Sequence, residues 1–317
     1  MENKELISSV KGIVSRLNSF GQRKEDVRNL FVMLFLLRWM RDEISNYAEY
    51  RDDGETRKLA DKLNQLFSSN LNIRDIDTHI DEVLDRLKYS IDISALKGLN
   101  FTSSGHLLRD KRVTMEALVW LNDWGQLRLE SRKDVSSLFE IILQETKTPQ
   151  LSQFYSSKLL SQLVVAFARP RSGETILDPC VGEGGFLLEA HRAIEASDTD
   201  FLSQTPYFGF DVSGDALLIA TVRFFLSGAF NFQLSKRSGL YDHHNERDTN
   251  KFDVVIAQPP AGVKREEYRH LAYERNFPVI TKDVGGMFIQ QALFSLKENG
   301  RAIVALPAHS PQFTMLF

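Results

Sequence analysis

The sequence predicts an all-helical N-terminal domain followed by an α/β domain with a parallel, doubly wound sheet. Residues 1–147 hold apolar residues at helical spacing and contain few glycines and prolines. From residue 148 onward, short apolar runs of strand length alternate with helical segments, a pattern typical of parallel strands joined by crossover helices. Pro149, which cannot continue a helix, lies where the pattern changes. The predicted domains are therefore residues 1–147 and 148–317.

Three apolar patterns predict helices in the N-terminal domain. The segment 27–39 is apolar on nearly every side over Leu30–Leu37, which indicates a helix buried within a bundle. The other two patterns place an apolar stripe on one helix face, with Ile80, Val83, Leu84 and Leu87 in the first and Val135, Leu138, Phe139 and Ile142 in the second.

Five strands are predicted in the second domain. They lie within residues 174–180, 207–212, 231–235, 252–260 and 301–307, and the third is the weakest. Helices are expected over 184–196, 214–229 and 285–300, with Gly300 as the C-cap of the last. Residues 307–317 offer no further helix, whereas a complete doubly wound sheet of this kind has more strands. The domain is therefore expected to be truncated at its C-terminal end.

Composition favours a globular cytoplasmic protein. Of the 317 residues, 43% are hydrophobic and 26% charged, and the longest unbroken apolar run, Leu30–Leu37, is too short to span a bilayer. The polar N-terminus lacks the features of a secretory signal, and a single cysteine, Cys180, excludes an internal disulfide or a cysteine-rich zinc site. The net charge of -3 does not indicate nucleic-acid binding, so a DNA enzyme of this composition would need a local basic groove or a basic partner.

The first predicted strand ends at Asp178 and leads into a glycine-rich turn. Gly182, Gly184 and Gly185 allow the backbone to approach a ligand closely, and the following helix offers free N–H groups at its N-terminus. Taken alone, such a turn can join any strand to any helix. The sequence lacks the six-residue glycine pattern of dinucleotide sites, which disfavours NAD as a ligand. It also lacks the phosphate-binding loop of nucleoside triphosphatases, which disfavours ATP.

The second and fourth predicted strands also end in polar residues. Asp211 can accept hydrogen bonds from both hydroxyls of a ribose, while the alternative role of capping the next helix suits Asp215 better. Gln258-Pro259-Pro260 ends the fourth strand, where two prolines stop the hydrogen-bond ladder and stiffen the loop. Because the carboxyl ends of parallel strands meet at one edge of a sheet, the three strand ends together predict a ligand site. The adjacent histidines of the DHHNE segment are poorly placed to converge on one ion, and no metal site is predicted.

These segments resemble the N6-adenine DNA methyltransferases, specifically the modification subunits of type I restriction-modification systems. The resemblance rests on DPCVGEGGFL at 178–187, GFDVS at 209–213, SQFYSSKLL at 152–160 and GGMFIQQALFSLKENGRAIVALP at 285–307, and it covers nearly the whole chain. It implies a Rossmann-like sheet that uses S-adenosylmethionine to methylate adenine N6 in double-stranded DNA, preceded by the helical domain. It also implies a specificity subunit and a restriction subunit of the same system as partners, and no membrane.

The resemblance also implies roles for particular residues. Those expected to bind S-adenosylmethionine are Gln153, Phe154, Tyr155, Ser156, Ser157, Lys158, Asp178, Gly182, Glu183, Gly184, Gly185 and Asp211. Those expected to face the target amine, and so to be catalytic, are Gln258, Pro259 and Pro260.

Four positions depart from the pattern of the family that the chain resembles. Gln258 replaces Asn or Asp, and Ala261 replaces an aromatic residue that stacks on the target base. Ser238 stands where a side chain contacts the adenine of the cofactor, and Ser157 replaces a proline. Gln adds one methylene to the group that aligns the amine, a displacement of roughly 1.5 Å. Weak or absent methylation by this chain alone is therefore expected.

Two other functions remain open from the sequence. The first is a catalytically degenerate binding module that keeps the fold and acts through protein or DNA contacts. The second is a methyltransferase with another amine substrate, such as a protein glutamine. The missing aromatic at Ala261 allows the second alternative, and the helical N-terminal domain argues against it.

Overall fold

A computed structural model describes residues 2–48, 54–90, 110–123, 131–147, 157–197, 205–229, 231–240, 249–261, 263, 277, 279, 281 and 283–307. The chain divides into two compact units, Met1–Gln153 and Phe154–Phe317. Four of the residues expected to bind a cofactor lie outside the described residues, namely Gln153, Phe154, Tyr155 and Ser156. Among the described helices, none combines the length and the apolar character needed to cross a membrane.

The described elements of the first unit are all helices. They are α1 (Glu2–Ser19), α2 (Lys24–Ala48), α3 (Gly54–Leu66), α4 (Ile76–Ser90), α5 (Lys111–Asn122) and α6 (Arg132–Glu145). Helix α2 contacts α1, α3, α5 and α6, so it lies at the centre of the bundle. Its residues Leu30–Leu37 are each at most 3% exposed, which confirms the predicted buried helix. A helix that is apolar on every side is stable in water only when other helices surround it.

The second unit alternates helices and strands. Its elements are α7 (Lys158–Ala168), β1 (Ile176–Asp178), α8 (Gly185–Ser197), β2 (Tyr207–Asp211), α9 (Gly214–Ser227), β3 (Phe232–Lys236), β4 (Phe252–Ala257), α10 (Val284–Ser295) and β5 (Leu296–Val304). The strands form one parallel sheet in the order β3-β2-β1-β4-β5. All five predicted strands are therefore present, and the predicted parallel α/β fold is confirmed.

The strand order decides where the predicted site residues meet. Strand β1 pairs with both β2 and β4, so the ends of these three strands are adjacent at one edge of the sheet. The core beneath this edge contains Leu177, Phe210 and Val255, which pack together with Phe252 and Ala292. Helix α8 contacts both α7 and α9, and α10 contacts β4 and β5.

The last predicted helix ends earlier than the sequence indicated. Helix α10 stops at Ser295, and Leu296 already pairs with Phe252 of β4, so Gly300 is not a helix C-cap. The next pair in the ladder joins Val254 to Arg301, which places residues 297–300 in a bulge of β5. The pairing of Leu296 with Phe252, and of the residues from Arg301 onward with β4, outweighs the helical pattern that continues past Ser295.

Candidate active site

The carboxyl end of β1 begins the site with a buried carboxyl group. Asp178 is 2% exposed, and its Oδ1 accepts a hydrogen bond from the main-chain N–H of Cys180 at 3.0 Å. Burial raises the pKa of Asp178 to about 7, and the charge of Asp211 adds to the rise while the Cys180 N–H opposes it. The Asp178 side chain thus stabilises the turn that follows β1, and little of its surface is accessible to a ligand.

Residues 181–185, which we call the glycine loop, connect β1 to α8. Gly182 and Gly184 have φ angles of 51° and 85°, values that residues with side chains rarely adopt. A Cβ at Gly184 would lie 3.3 Å from Ala220 and from Phe224, so this glycine also permits close packing of the loop on α9. Helix α8 starts at Gly185, and its first N–H groups have no intrahelical partners.

Glu183, between these two glycines, turns its side chain away from the solvent. Arg223 of α9 donates from Nη1 to Glu183 Oε2 at 3.2 Å and to the main-chain oxygen of Glu183 at 3.1 Å. The side chains of Glu183 and Arg223 are 6% and 15% exposed. The predicted contribution of Glu183 to ligand binding therefore rests on its main chain.

Asp211, at the end of β2, joins that strand to the glycine loop. Its Oδ2 accepts a hydrogen bond from the Gly182 N–H at 2.9 Å, and its Oδ1 accepts one from the Ser213 N–H at 2.8 Å. The N-cap of α9 is Ser213, whose side chain accepts from Ala216 N–H, so the suggestion of Asp215 as N-cap is wrong. The sequence suggested that the Asp211 side chain is free, but both of its oxygens accept hydrogen bonds. Each oxygen still retains a lone pair for a further donor.

The end of β4 lies against the turn that follows β1. Pro259 is buried, whereas Gln258 and Ala261 are exposed. The main-chain N–H of Gln258 hydrogen-bonds the sulfur of Cys180. Burial raises the pKa of the Cys180 thiol well above its usual range, and the neighbouring Asp178 raises it further, so the thiol form is favoured over the thiolate.

The turn after β3 reaches the same edge. The Arg237 N–H donates to the main-chain oxygen of Asp211 at 2.9 Å, and the Arg237 guanidinium lies 3.5 Å from the centroid of the Phe210 ring. Ser238 Oγ accepts from the Leu240 N–H at 3.1 Å. Gly239 packs so closely on the Pro179 carbonyl that no side chain fits there. The β3 turn is thereby fixed against the turn that follows β1.

Two predicted site residues lie at the start of α7. Ser157 is the N-cap of this helix, and its Oγ accepts from the Leu160 N–H at 3.2 Å. Lys158 is the first helical residue and is exposed. Their described contacts begin the helix, and their expected role in binding a cofactor stays a prediction.

Comparison with known proteins decides the family. A sequence profile described as N-6 DNA Methylase matches residues 130–310, more than half of the chain.

The chain belongs to the N-6 DNA methylase family.

Relatives of this chain include methylase subunits of type I restriction enzymes. The EcoEI methylase subunit of Escherichia coli is 25% identical over 217 residues, which cover 66% of this chain and 42% of that protein. The EcoKI methylase subunit of Escherichia coli strain K12 is 22% identical over 329 residues, which cover 97% of this chain and 59% of that protein. The chain therefore spans about half the length of these relatives.

Solved structures share the fold of this chain. A chain from a structure on the assembly of the type I R-M system has a TM-score of 0.67 at 19% identity, and the match covers 92% of this chain and 61% of that one. The type I restriction-modification system methyltransferase subunit from Streptococcus thermophilus has a TM-score of 0.59 at 16% identity, covering 96% and 75%. The predicted fold class, a helical region followed by a parallel α/β sheet, is confirmed by this likeness.

Two residues near this edge of the sheet were not predicted from the sequence. Val212 follows Asp211 and is 61% exposed, an apolar surface directly beside the end of β2. Its position next to an acidic residue at a strand end could have indicated a contact with the ligand of that edge. Arg223 was detectable as the one charged residue within the run 216–226, which is otherwise apolar apart from Thr221, because an isolated charge in such a helix needs a partner.

Proposed function

We propose that this chain is the methyltransferase part of a type I modification subunit, which transfers a methyl group from S-adenosylmethionine to N6 of adenine in DNA. The observation that carries the proposal is the convergence of the glycine loop, Asp211 and Gln258-Pro259 at one edge of the parallel sheet. Membership of the N-6 DNA methylase family and the likeness to type I methylase subunits support the reaction class.

The groups at this edge fit S-adenosylmethionine. Asp211 offers carboxylate oxygens with unused lone pairs, which suit the two hydroxyls of a ribose. Val212 offers an exposed apolar surface for one face of an adenine ring. The glycine loop and the first N–H groups of α8 suit the methionine end, whose carboxylate is stabilised at a helix N-terminus. When bound, S-adenosylmethionine supplies an electrophilic methyl group on its sulfonium.

The residues that end β4 would hold the target amine. The lone pair of adenine N6 is delocalised into the ring, so the amine is a poor nucleophile unless its hydrogens are bonded. The side-chain oxygen of Gln258 and the main-chain oxygen of Pro259 would each accept one hydrogen of the amine, which favours the charge that develops on nitrogen. The exposure of Gln258 is compatible with this role. The adenine must leave the duplex to reach these groups.

The two departures in this segment would limit the rate. Gln258 places its amide about one carbon–carbon bond, roughly 1.5 Å, beyond the position that an asparagine would give. Ala261 is exposed and offers no aromatic face, and loss of base stacking costs about 1–3 kcal/mol by analogy with other base contacts. We infer weak methylation by this chain, with the fold and the cofactor site retained.

The proposed substrate is double-stranded DNA, and the proposed partners are further subunits of the same system. With a net charge of -3, the chain supplies no excess of positive charge for the phosphate backbone. A specificity subunit would then select the sequence and add basic surface, and a restriction subunit would complete the system.

The test is a methyl-transfer assay with radiolabelled S-adenosylmethionine. The chain, extended to the length of its relatives and combined with a specificity subunit, is incubated with unmethylated duplex DNA, and the nucleosides are then separated. Label in N6-methyladenine is expected. Cofactor binding without any transfer to DNA would favour the degenerate binding module, and label in a protein glutamine of a co-incubated extract would favour the other amine substrate.

A further inference from the structure

The glycine loop contains a carboxylate at a position where negative charge is unfavourable for the proposed cofactor. Glu183 lies immediately before Gly184 and Gly185, at the start of α8. If the methionine carboxylate binds at this helix N-terminus, an unpaired Glu183 would repel it through a poorly screened, water-poor site. A buried carboxylate is also costly unless it is paired.

Arg223 supplies the pairing and also bonds to the loop main chain. Its Nη1 contacts both Glu183 Oε2 and Glu183 O, at 3.2 and 3.1 Å. The N–H on the other side of that peptide unit, at Gly184, donates to the Val181 oxygen at 2.9 Å. The peptide between Glu183 and Gly184 is therefore held at both its oxygen and its nitrogen, between two glycines with positive φ angles.

We propose that Arg223 is a positioning residue for the cofactor loop, with two separable effects. It fixes the orientation of the Glu183–Gly184 peptide, and it cancels the charge of Glu183 beside the N-terminus of α8. The inference rests on the proposed function, since the ligand of the loop is taken to be S-adenosylmethionine. Arg223 acts through Glu183 and is not assigned a contact with the ligand.

Arg301, in the same unit, serves as a control for a purely structural role of Arg223. Arg301 of β5 also pairs with a glutamate, donating to Glu174 at 2.9 and 2.7 Å, and it also bonds to main-chain oxygens, at Ala168 and Arg169. Its partners belong to the end of α7 and the segment before β1, not to the glycine loop. Arg301→Met therefore removes a similar set of bonds without freeing the loop.

The experiment compares Arg223→Met, the double variant Arg223→Met with Glu183→Gln, and Arg301→Met against the unmutated chain. Hydrogen exchange of residues 181–185 is measured without ligand, and S-adenosylmethionine affinity is measured by calorimetry. We expect Arg223→Met to speed loop exchange and to weaken binding roughly 10-fold or more, as expected for loss of a charge-assisted bond. Adding Glu183→Gln is expected to recover part of the affinity, because it removes the negative charge that Arg223 no longer offsets. Arg301→Met is expected to lower the melting temperature while leaving affinity and loop exchange unchanged.

The outcomes separate the inference from the proposed function. Unchanged loop exchange in Arg223→Met, or no recovery on adding Glu183→Gln when binding is weakened, would overturn the two-part role of Arg223. Equal loss of affinity in Arg301→Met would reduce Arg223 to a general stabiliser and also overturn it. If the unmutated chain binds no S-adenosylmethionine, the proposed cofactor is wrong, and loop exchange alone then decides whether Arg223 positions the loop.

Discussion

Asp178 is a residue whose acid–base chemistry is strongly altered by the fold. It is buried at the end of β1, and its pKa is raised to about 7, chiefly by burial and further by the charge of Asp211. The pKa of an unfolded aspartate is about 3.9, so folding favours the protonated form. Its contribution to stability is therefore present in full below about pH 4 and is lost as the pH rises through about 7.

The first prediction concerns this pH dependence. Asp178→Asn keeps an oxygen that can accept from Cys180 N–H but removes the titrating group. Between pH 4 and 7 the unmutated chain is expected to lose roughly 1.4 kcal/mol of this contribution per pH unit, and the variant is not. Urea unfolding at several pH values measures the difference, with Asp215→Asn as the control. Parallel stability curves for Asp178→Asn and the unmutated chain would contradict the assignment.

The second prediction concerns the end of β4. Gln258→Asn together with Ala261→Phe should restore the amide position and the stacking surface and raise adenine methylation by roughly 10-fold or more. Because both changes act on the same flipped base, the double variant should gain more than either single variant. Initial rates are compared in the complete complex with saturating cofactor. If the unmodified complex already turns over about once per second, the impairment is refuted and Gln258 is a working substitute.

At the scale of elements, Arg301 links three parts of the second unit. Its guanidinium, on β5, bonds to the last carbonyls of α7 and to Glu174 before β1. The pKa of Glu174 is lowered, since its bonds with Arg301 and the Arg171 N–H outweigh the effect of burial. Carbonyls at a helix C-terminus lack intrahelical partners, so this arginine closes the end of α7.

The third prediction follows from that contact. Arg301→Ala should lower the free energy of unfolding by roughly 1–3 kcal/mol, because several charge-assisted bonds are lost at once. Arg192→Ala is the matched control, since Arg192 forms an exposed pair with Glu189 on α8 and should change stability by less than about 1 kcal/mol. Chemical denaturation of both variants provides the comparison. Equal effects would mean that the Arg301 contacts add nothing beyond a surface ion pair.

Elements were predictable from the sequence where local pattern and tertiary pairing agree. The short strand at β1 and the buried helix over Leu30–Leu37 follow from apolar runs whose lengths and flanking residues admit one structure. The segment 296–300 has a helical pattern but joins β5, because pairing with Phe252 is a non-local gain that no local pattern contains.

Contacts within the candidate site were less predictable for the same reason. Asp211 lies 29 residues from Gly182, and Arg223 lies 40 residues from Glu183, so their pairing depends on the strand order. The types of residue at the strand ends indicated a ligand site, but the sequence left Asp211 unpaired and gave Arg223 no role. The geometry of the glycine loop therefore depends on the pairing of β1 with β2, which the structure shows and the sequence does not.

At the scale of the whole molecule, the chain consists of two compact units, and each contains buried apolar side chains. In the first unit, Phe31 of α2 packs edge-to-face on Trp120 of α5. Phe35 of α2 packs against Phe139 of α6. The core of the second unit lies on its sheet. A unit with its own apolar core can fold independently of its neighbour.

The fourth prediction tests this independence. A fragment of residues 1–153 should give a predominantly helical circular dichroism spectrum and a cooperative thermal transition. Leu34→Asp, which places a charge in the centre of α2, should abolish the transition, whereas the exposed Val119→Asp should change it little. A spectrum dominated by strand or coil would contradict the helical unit.

Calorimetric titration of the chain with S-adenosylmethionine tests whether the carboxyl edge of the sheet binds this cofactor. We predict saturable binding at one site per chain, weakened roughly 10-fold or more in Asp211→Ala, because a charge-assisted hydrogen bond contributes about 1.5–3 kcal/mol and Asp211 also holds Gly182. Asp215→Ala, on the first turn of α9, should bind as the unmutated chain does. Equal affinity in Asp211→Ala would remove Asp211 from the site, and an unmutated, folded chain that binds no S-adenosylmethionine would show that this edge of the sheet is not its binding site.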